Sequence, residues 1–193
     1  MTIWVVIPVK APDLGKQRLA EVLDETARSA LVRAMLGKVI QAAQAAVTTG
    51  QALILGPSSH GYDLALLDDP GKGLDAALTS ALADAERGGA SRVVFVAGDL
   101  PQVTAREVEL LSLAPKNAVA IAPDRHGTGT NAISLPLPAA RGFTFAFGPD
   151  SFALHSGEVR RMDLELEVIQ SHGLMRDIDE PADLPDAAGL AGG

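Results

Sequence analysis

Apolar residues run without a break from Ile3 to Val9, and that continuity predicts a strand buried on both faces of a sheet. Lys10 to Arg18 interrupts the pattern with Pro12 and Gly15, as a loop does. From Asp24 the period changes. Ala27, Ala30, Leu31, Ala34, Met35, Val39, Ala42, Ala43 and Ala46 recur at helical spacing until Gly50, which predicts one long helix with a core-facing stripe. Further strands are predicted at 52–55, 64–67, 92–97 and 118–122, with helices at about 74–87 and 104–112 between them. Residues 162–168 alternate strictly, Met162, Leu164, Leu166 and Val168 being apolar and Asp163, Glu165 and Glu167 polar, so a half-exposed edge strand is expected there. Alternation of strand and helix predicts a single-domain α/β fold with a mostly parallel mixed sheet flanked by helices. Residues 1–186 are expected to form the domain and the Ala/Gly-rich residues 187–193 a frayed tail.

Composition narrows the picture. Hydrophobic residues make up 47% of the 193-residue chain but aromatics only 4%, so the core must be mostly Ala, Val, Leu and Ile. The chain has no cysteine, which excludes disulfides, thiolate metal sites and a thiol nucleophile. Its apolar start is too short for a membrane span and lacks a basic leader, so a cytoplasmic protein without a membrane partner is expected. A net charge of −8 argues against nucleic acid as a partner. Charge is also unevenly placed. Residues 1–38 carry a surplus of cations, whereas residues 163–186 set eight acids against Arg176 alone. A polyanion-binding end and a cation-binding end are one reading, and solvated faces are the other.

Open α/β sheets bind ligands at the carboxyl ends of their strands, and the candidate chemistry gathers at such places. After the first strand come Lys10, Gly15, Lys16 and Arg18, cations with a glycine among them, suited to neutralising a triphosphate. After the strand at 92–97 comes Gly98-Asp99-Leu100-Pro101. Asp99 suits Mg²⁺, a hard cation that needs only one or two protein carboxylates when phosphates supply the rest. An Asp at a strand end can also be a turn residue. Asp177-Ile178-Asp179 in extended chain would set two more carboxylates on one side, while Asp183 and Asp186 read as helix-start acids. Gly71-Lys72-Gly73-Leu74 precedes a helix and could pass close to a purine. Asp75 would then accept from guanine N1–H and N2, or would simply cap the helix. The segments 124–132, with Thr130 and Asn131, and 147–155, with Gly148 and Ser151, offer hydroxyl and amide donors for a small anionic acceptor. His126 and His155 stand in the same segments, but a phosphate nucleophile is already ionised and needs no base. His60 and His172 read as loop residues.

Together these motifs resemble the guanylyltransferases of deazaflavin coenzyme (F-420) biosynthesis, which act on phospholactate, phosphoenolpyruvate or phosphoglycerate. The resemblance runs from Ile-Pro-Val-Lys and Gly-Lys-Gln-Arg-Leu through Gly-Asp-Leu-Pro, Asp-Arg-His-Gly-Thr-Gly-Thr-Asn and Phe-Gly-Pro-Asp-Ser-Phe to Asp-Ile-Asp-Glu-Pro. Gln17 stands where the family pattern has Ser, and Asp75 where it has Asn. The resemblance implies a Rossmann-like nucleotidyltransferase sheet, GTP as substrate, and magnesium held by Asp99, Asp177 and Asp179. It also implies acceptor contacts at Thr130, Gly148 and Ser151. The residues alone also allow a molybdopterin or sugar-phosphate nucleotidyltransferase, or an inert nucleotide-binding regulatory protein. The strand at 162–168 could pair with a second copy to form a homodimer.

Overall fold

In the computed structural model, which describes residues 2–9, 16–188 and 190, seven strands form one sheet in the order β3-β2-β1-β4-β6-β5-β7. Strand β1 (Ile3–Pro8) pairs in parallel with β2 (Gln51–Leu55) and with β4 (Arg92–Val96). The short β3 (Ala65–Leu67) extends the sheet beyond β2. On the other side β6 (Thr130–Pro136) lies antiparallel between β4 and β5 (Ala118–Pro123), and β7 (Glu165–Val168) closes the edge parallel to β5. Only β6 opposes the rest, so the sheet is the mixed, mostly parallel one expected.

Successive side chains of a strand point to opposite faces, and here both faces are covered. Ile3, Val5, Ile7, Val94, Val96, Ala120 and Ala122 form one core with α1 (Glu25–Ala45) and α3 (Ala105–Ser112). Val6, Val93, Phe95, Val119, Ile121, Ile133 and Leu135 form the other, with α2 (Leu74–Arg87) and α4 (Ser151–Arg161). Each Val, Leu or Ile fully withdrawn from water contributes roughly 1.5–3 kcal/mol, so two such layers dominate the favourable side of folding. Helix ends are set locally. The Asp24 carboxylate caps α1 by accepting from Ala27 N–H at 2.8 Å, and Thr104 with Glu107 forms a reciprocal capping box on α3.

Three elements depart from expectation. Residues 130–132, read as part of a donor loop, begin β6, a strand with every position buried. The edge strand starts only at Glu165, because Asp163 takes a left-handed φ of 55° in the turn that follows α4. His172, read as a loop residue, opens the short helix α5 (His172–Met175). A 3-10 helix then runs from Pro181 to Ala187, and Leu190 packs on the small cluster of Leu19, Met35 and Ile178.

Chain order decides where a ligand can sit. From β1 the chain moves to β2 and β3 on one side, then returns to β4 on the other, so the strand order reverses between β1 and β4, the place where open α/β sheets bind ligands at their carboxyl ends. Asp99 and Lys16, which pair with each other, both lie at that switch point.

Candidate active site

Lys16 is the link between three distant parts of the chain. It adopts a left-handed backbone, with φ 54°, just before a 3-10 turn at Gln17–Leu19. Its ammonium group pairs with the Asp99 carboxylate after β4 and, at 2.8 Å, with Asp179 near the C-terminus. Burial of Lys16 pulls its pKa down, but the charges of Asp99 and Asp179 and their hydrogen bonds outweigh that, so its pKa ends above the ordinary value and the side chain stays cationic.

Asp177 lies beside this pair. Ile178 between the two acids is fully buried with Leu19 and Met35, and its N–H bonds to Asp99 O at 3.3 Å, which fixes the segment against the end of β4. Asn131 donates from Nδ2 to Leu174 O at 3.0 Å and to Asp177 Oδ1 at 3.2 Å. Burial, chiefly, and then the Asp99 charge raise the Asp177 pKa, while the Asn131 hydrogen bond opposes the rise. Asn131, expected to touch an acceptor, therefore has its amide nitrogen committed to holding Asp177.

Asp183 forms the strut of the acidic segment. Its Oδ2 accepts from both Asp179 N–H and Glu180 N–H at 2.8 Å, and its other oxygen pairs with Arg125 from the β5–β6 loop. The side chain is 2% exposed, and backbone hydrogen bonds with the Arg125 guanidinium hold its carboxyl below the usual range despite burial. Asp183 is the helix-start acid that the sequence predicts, and the strut role adds to that. The Glu180-Pro181-Ala182-Asp183 spacing is a capping-box signal that could have found it.

Two oxygens, one from Asp99 and one from Asp179, thus converge on a single cation position, marked by the Lys16 ammonium. Among the described residues no three acidic or histidine side chains close around one point. An oxygen-only donor pair, both carboxylates partly exposed, is a set that suits Mg²⁺ shared with phosphates. The site residues fit that ion.

A second group forms around α4. Asp124 accepts from Thr128 N–H at 2.9 Å and holds the tight loop between β5 and β6; a Cβ on Gly129 would come within 2.8 Å of that carboxylate. Phe152 N–H bonds to Thr128 O at 3.0 Å, docking the start of α4 on this loop. His155 bridges Thr130 Oγ1 and Ala146 N–H, each at 3.0 Å. Asp75 Oδ1 accepts from Phe147 N–H at 2.9 Å. Gly148 follows with φ 125°, a conformation L side chains rarely adopt, and Ser151 opens α4 with 1% exposure.

The expected residues therefore fall in two groups. Lys16, Asp99, Asp177 and Asp179 meet at one place. Thr130, Gly148 and Ser151 gather at the other, and Asp75 joins them through Phe147. Gly71 and Gly73 lie exposed before α2, both with positive φ, and Leu74 is its first residue. Arg18 is exposed, its guanidinium 3.5 Å from Glu180 rather than among the carboxylates. Lys10 and Gly15 lie outside the described residues. His126 sits beside Arg125 on the loop surface, and His60 lies in a turn with φ 51°. A concavity of about 340 Å³ between α1 and the C-terminal 3-10 helix, lined in part by Lys38, Gln41 and Asp186, contains none of the site carboxylates.

A sheet with acids at its switch point and a lysine reaching across them suits an enzyme of the nucleotidyltransferase class. A crystal structure from Desulfovibrio desulfuricans G20, named for nucleotide-diphospho-sugar transfer, shares the fold with a TM-score of 0.80 at 21% identity, covering 95% of this chain and 85% of that one. The family is shown by sequence. Residues 3–188 match the guanylyl transferase CofC-like family, and the chain belongs to it. It is 38% identical to the phosphoenolpyruvate guanylyltransferase of Sphaerobacter thermophilus, over 99% of this chain and 95% of that protein. It is 37% identical to the enzyme of the same name from Chloroflexus aurantiacus, over 92% and 90%. No helix among the described residues is long and apolar enough to cross a membrane.

Proposed function

We propose that the protein transfers GMP from GTP to the phosphate of phosphoenolpyruvate with Mg²⁺ in the cytoplasm, releasing pyrophosphate, as a step of F-420 biosynthesis. One observation carries this reading: Asp99 and Asp179 converge on a single cation position at the sheet's switch point, and the adjacent Asp177 is tied through Asn131 to the strand that carries Thr130. Relatives named phosphoenolpyruvate guanylyltransferases at 37–38% identity favour this acid over 3-phosphoglycerate or 2-phospho-L-lactate.

An oxygen of the acceptor phosphate attacks the α-phosphorus of GTP. A new P–O bond forms as the bond to the bridging α–β oxygen breaks, and that oxygen leaves with pyrophosphate. The acceptor phosphate is already ionised, so no side chain must remove a proton. What the protein must do is bring two polyanions together in line. Asp99 and Asp179, with Asp177 beside them, would hold magnesium, which supplies charge neutralisation at the phosphates. Lys16, displaced from the carboxylates when the nucleotide arrives, neutralises the triphosphate, with Lys10 and Arg18 on the same loop. The loop of Gly71 to Leu74 lies against the nucleoside. Thr130, Gly148 and Ser151 bind the carboxylate and phosphate of the acid.

The test is pyrophosphate release from each of GTP, ATP, CTP and UTP with phosphoenolpyruvate, 3-phosphoglycerate, 2-phospho-L-lactate, a sugar phosphate and molybdopterin, with Mg²⁺ and with a chelator. GTP with phosphoenolpyruvate, active only with the metal, is the expected pair. Preference for CTP, or for a sugar or molybdopterin phosphate as acceptor, would overturn it, as would nucleotide binding with no turnover on any acceptor.

A further inference from the structure

His155 has no part in the proposed chemistry, yet it sits where both acceptor segments meet. The ring is fully buried within α4, its centroid 4.8 Å from that of Phe147 and 5.9 Å from that of Phe143. Its two nitrogens face different partners. Nε2 lies 3.0 Å from Ala146 N, which can only donate, so Nε2 must present a lone pair. In a neutral imidazole the proton is then on Nδ1, and Nδ1–H donates to Thr130 Oγ1 at 3.0 Å. Burial keeps the ring neutral, lowering its pKa to about 4 although Asp75 and Glu158 pull the other way.

The consequence falls on Thr130. A hydroxyl has one hydrogen and two lone pairs, and with one lone pair taken by Nδ1–H its own hydrogen must point away from the ring. Thr130 heads β6, and Ala97 N–H bonds to Asn131 O at 2.9 Å, which brings Thr130 level with the turn that carries Asp99. Nothing in the ring can compete for the hydroxyl hydrogen. On its other side the ring fixes Ala146, while Asp75 fixes Phe147, so the amides leading into Gly148 are held in succession.

We propose that His155 is a positioning residue for the acceptor, acting through Nδ1 to make the Thr130 hydroxyl a dedicated donor to an anionic group of the phosphorylated acid. This rests on the placement of the acceptor at Thr130 given above. It explains why a neutral, buried histidine is used. An imidazolium would have no lone pair for Ala146, and a ring with its proton on Nε2 would take the Thr130 hydrogen for itself.

Two substitutions separate the two nitrogens. His155→Asn keeps a donor near the Nδ1 position, whereas His155→Gln keeps an acceptor near Nε2 and removes the donor to Thr130. Steady-state kinetics with GTP and phosphoenolpyruvate would be measured for both, for Thr130→Val and for the Thr130→Val/His155→Gln double variant. Long-range ¹H–¹⁵N correlation on the unmodified protein reads the tautomer directly. A lost hydrogen bond to a charged ligand corresponds to about a tenfold change or more. His155→Gln and Thr130→Val should each raise KM for phosphoenolpyruvate about tenfold, with KM for GTP and kcat within about twofold. His155→Asn should stay near the unmodified protein, the double variant should be no worse than Thr130→Val, and NMR should show the Nδ1–H form. An Nε2–H tautomer, an equal rise in both KM values, or a further loss in the double variant would overturn the role of His155. If Thr130→Val raises KM for phosphoenolpyruvate while His155→Gln does not, the acceptor placement stands and His155 loses its role. If Thr130→Val has no effect on that KM, the placement itself falls and the proposal with it.

Discussion

The two halves of the site are built on different physics. Around Lys16, charged groups from three distant segments meet, and full charges of opposite sign hold the geometry: Lys16 with Asp99 and Asp179, and Arg125 with Asp183. Around His155, neutral hydrogen bonds to Thr130 and Ala146 set the pocket within an apolar shell of Phe143, Phe145 and Phe147. The first kind of site can change partners, because a cation between two carboxylates can be exchanged for another cation. The second is set by burial and tautomer and does not exchange. That division suits an enzyme that must admit a charged nucleotide yet hold a small acid in one orientation.

Breaking the charged half should cost most. Asp99→Asn keeps the shape but removes one carboxylate of the proposed metal set, and turnover measured by pyrophosphate release should fall about 10³-fold with the thermal midpoint nearly unchanged. Retained turnover would remove Asp99 from the metal role. Next comes the strut. Asp183→Ala leaves the Arg125 guanidinium and two backbone donors without their partner, and chemical denaturation should show a loss of about 3 kcal/mol. A loss under about 1 kcal/mol would mean that water replaces the carboxylate readily.

Lys16→Ala should lower kcat/KM for GTP about 100-fold while leaving KM for phosphoenolpyruvate nearly unchanged. A larger change on the acceptor side would move Lys16 to the other half of the comparison.

The neutral half predicts a smaller effect, on pH. The folded-state pKa of His155, about 4, lies below its unfolded value of 6.5, so between these the unfolded chain binds more protons. Its contribution is complete above pH 6.5 and is lost as pH falls towards 4. Between pH 7 and pH 5 the protein should lose roughly 2 kcal/mol of stability relative to His155→Asn over the same range, read from paired denaturation curves. Parallel pH dependence in the two would show that His155 ionises freely in the fold.

The same division explains what could be read in advance. The apolar runs at Ile3–Pro8 and Arg92–Val96 and the helical stripe of α1 were legible, because burial on two faces or one leaves a periodic trace. So was the pairing of Asp177 with Asp179 across Ile178, since alternation in extended chain is a local property. Strand β6 was not. Thr130, Asn131 and Ser134 interrupt its apolar pattern, and each is buried because it finds a distant partner: His155, Asp177 and Arg92. Asp75 could be read as a cap or a base contact, but its bond to Phe147 N–H spans 72 positions of sequence.

What the sequence by itself determined is whatever depends on neighbours along the chain: the order of strands and helices, their caps, and the chemical types delivered at strand ends. Tertiary structure decided which of those groups meet. It placed Lys16 between two acids, committed Asn131 to Asp177, and gave Asp183 and His155 their roles. A buried polar side chain is tolerable only when a partner satisfies it, and that partner comes from another element of the fold.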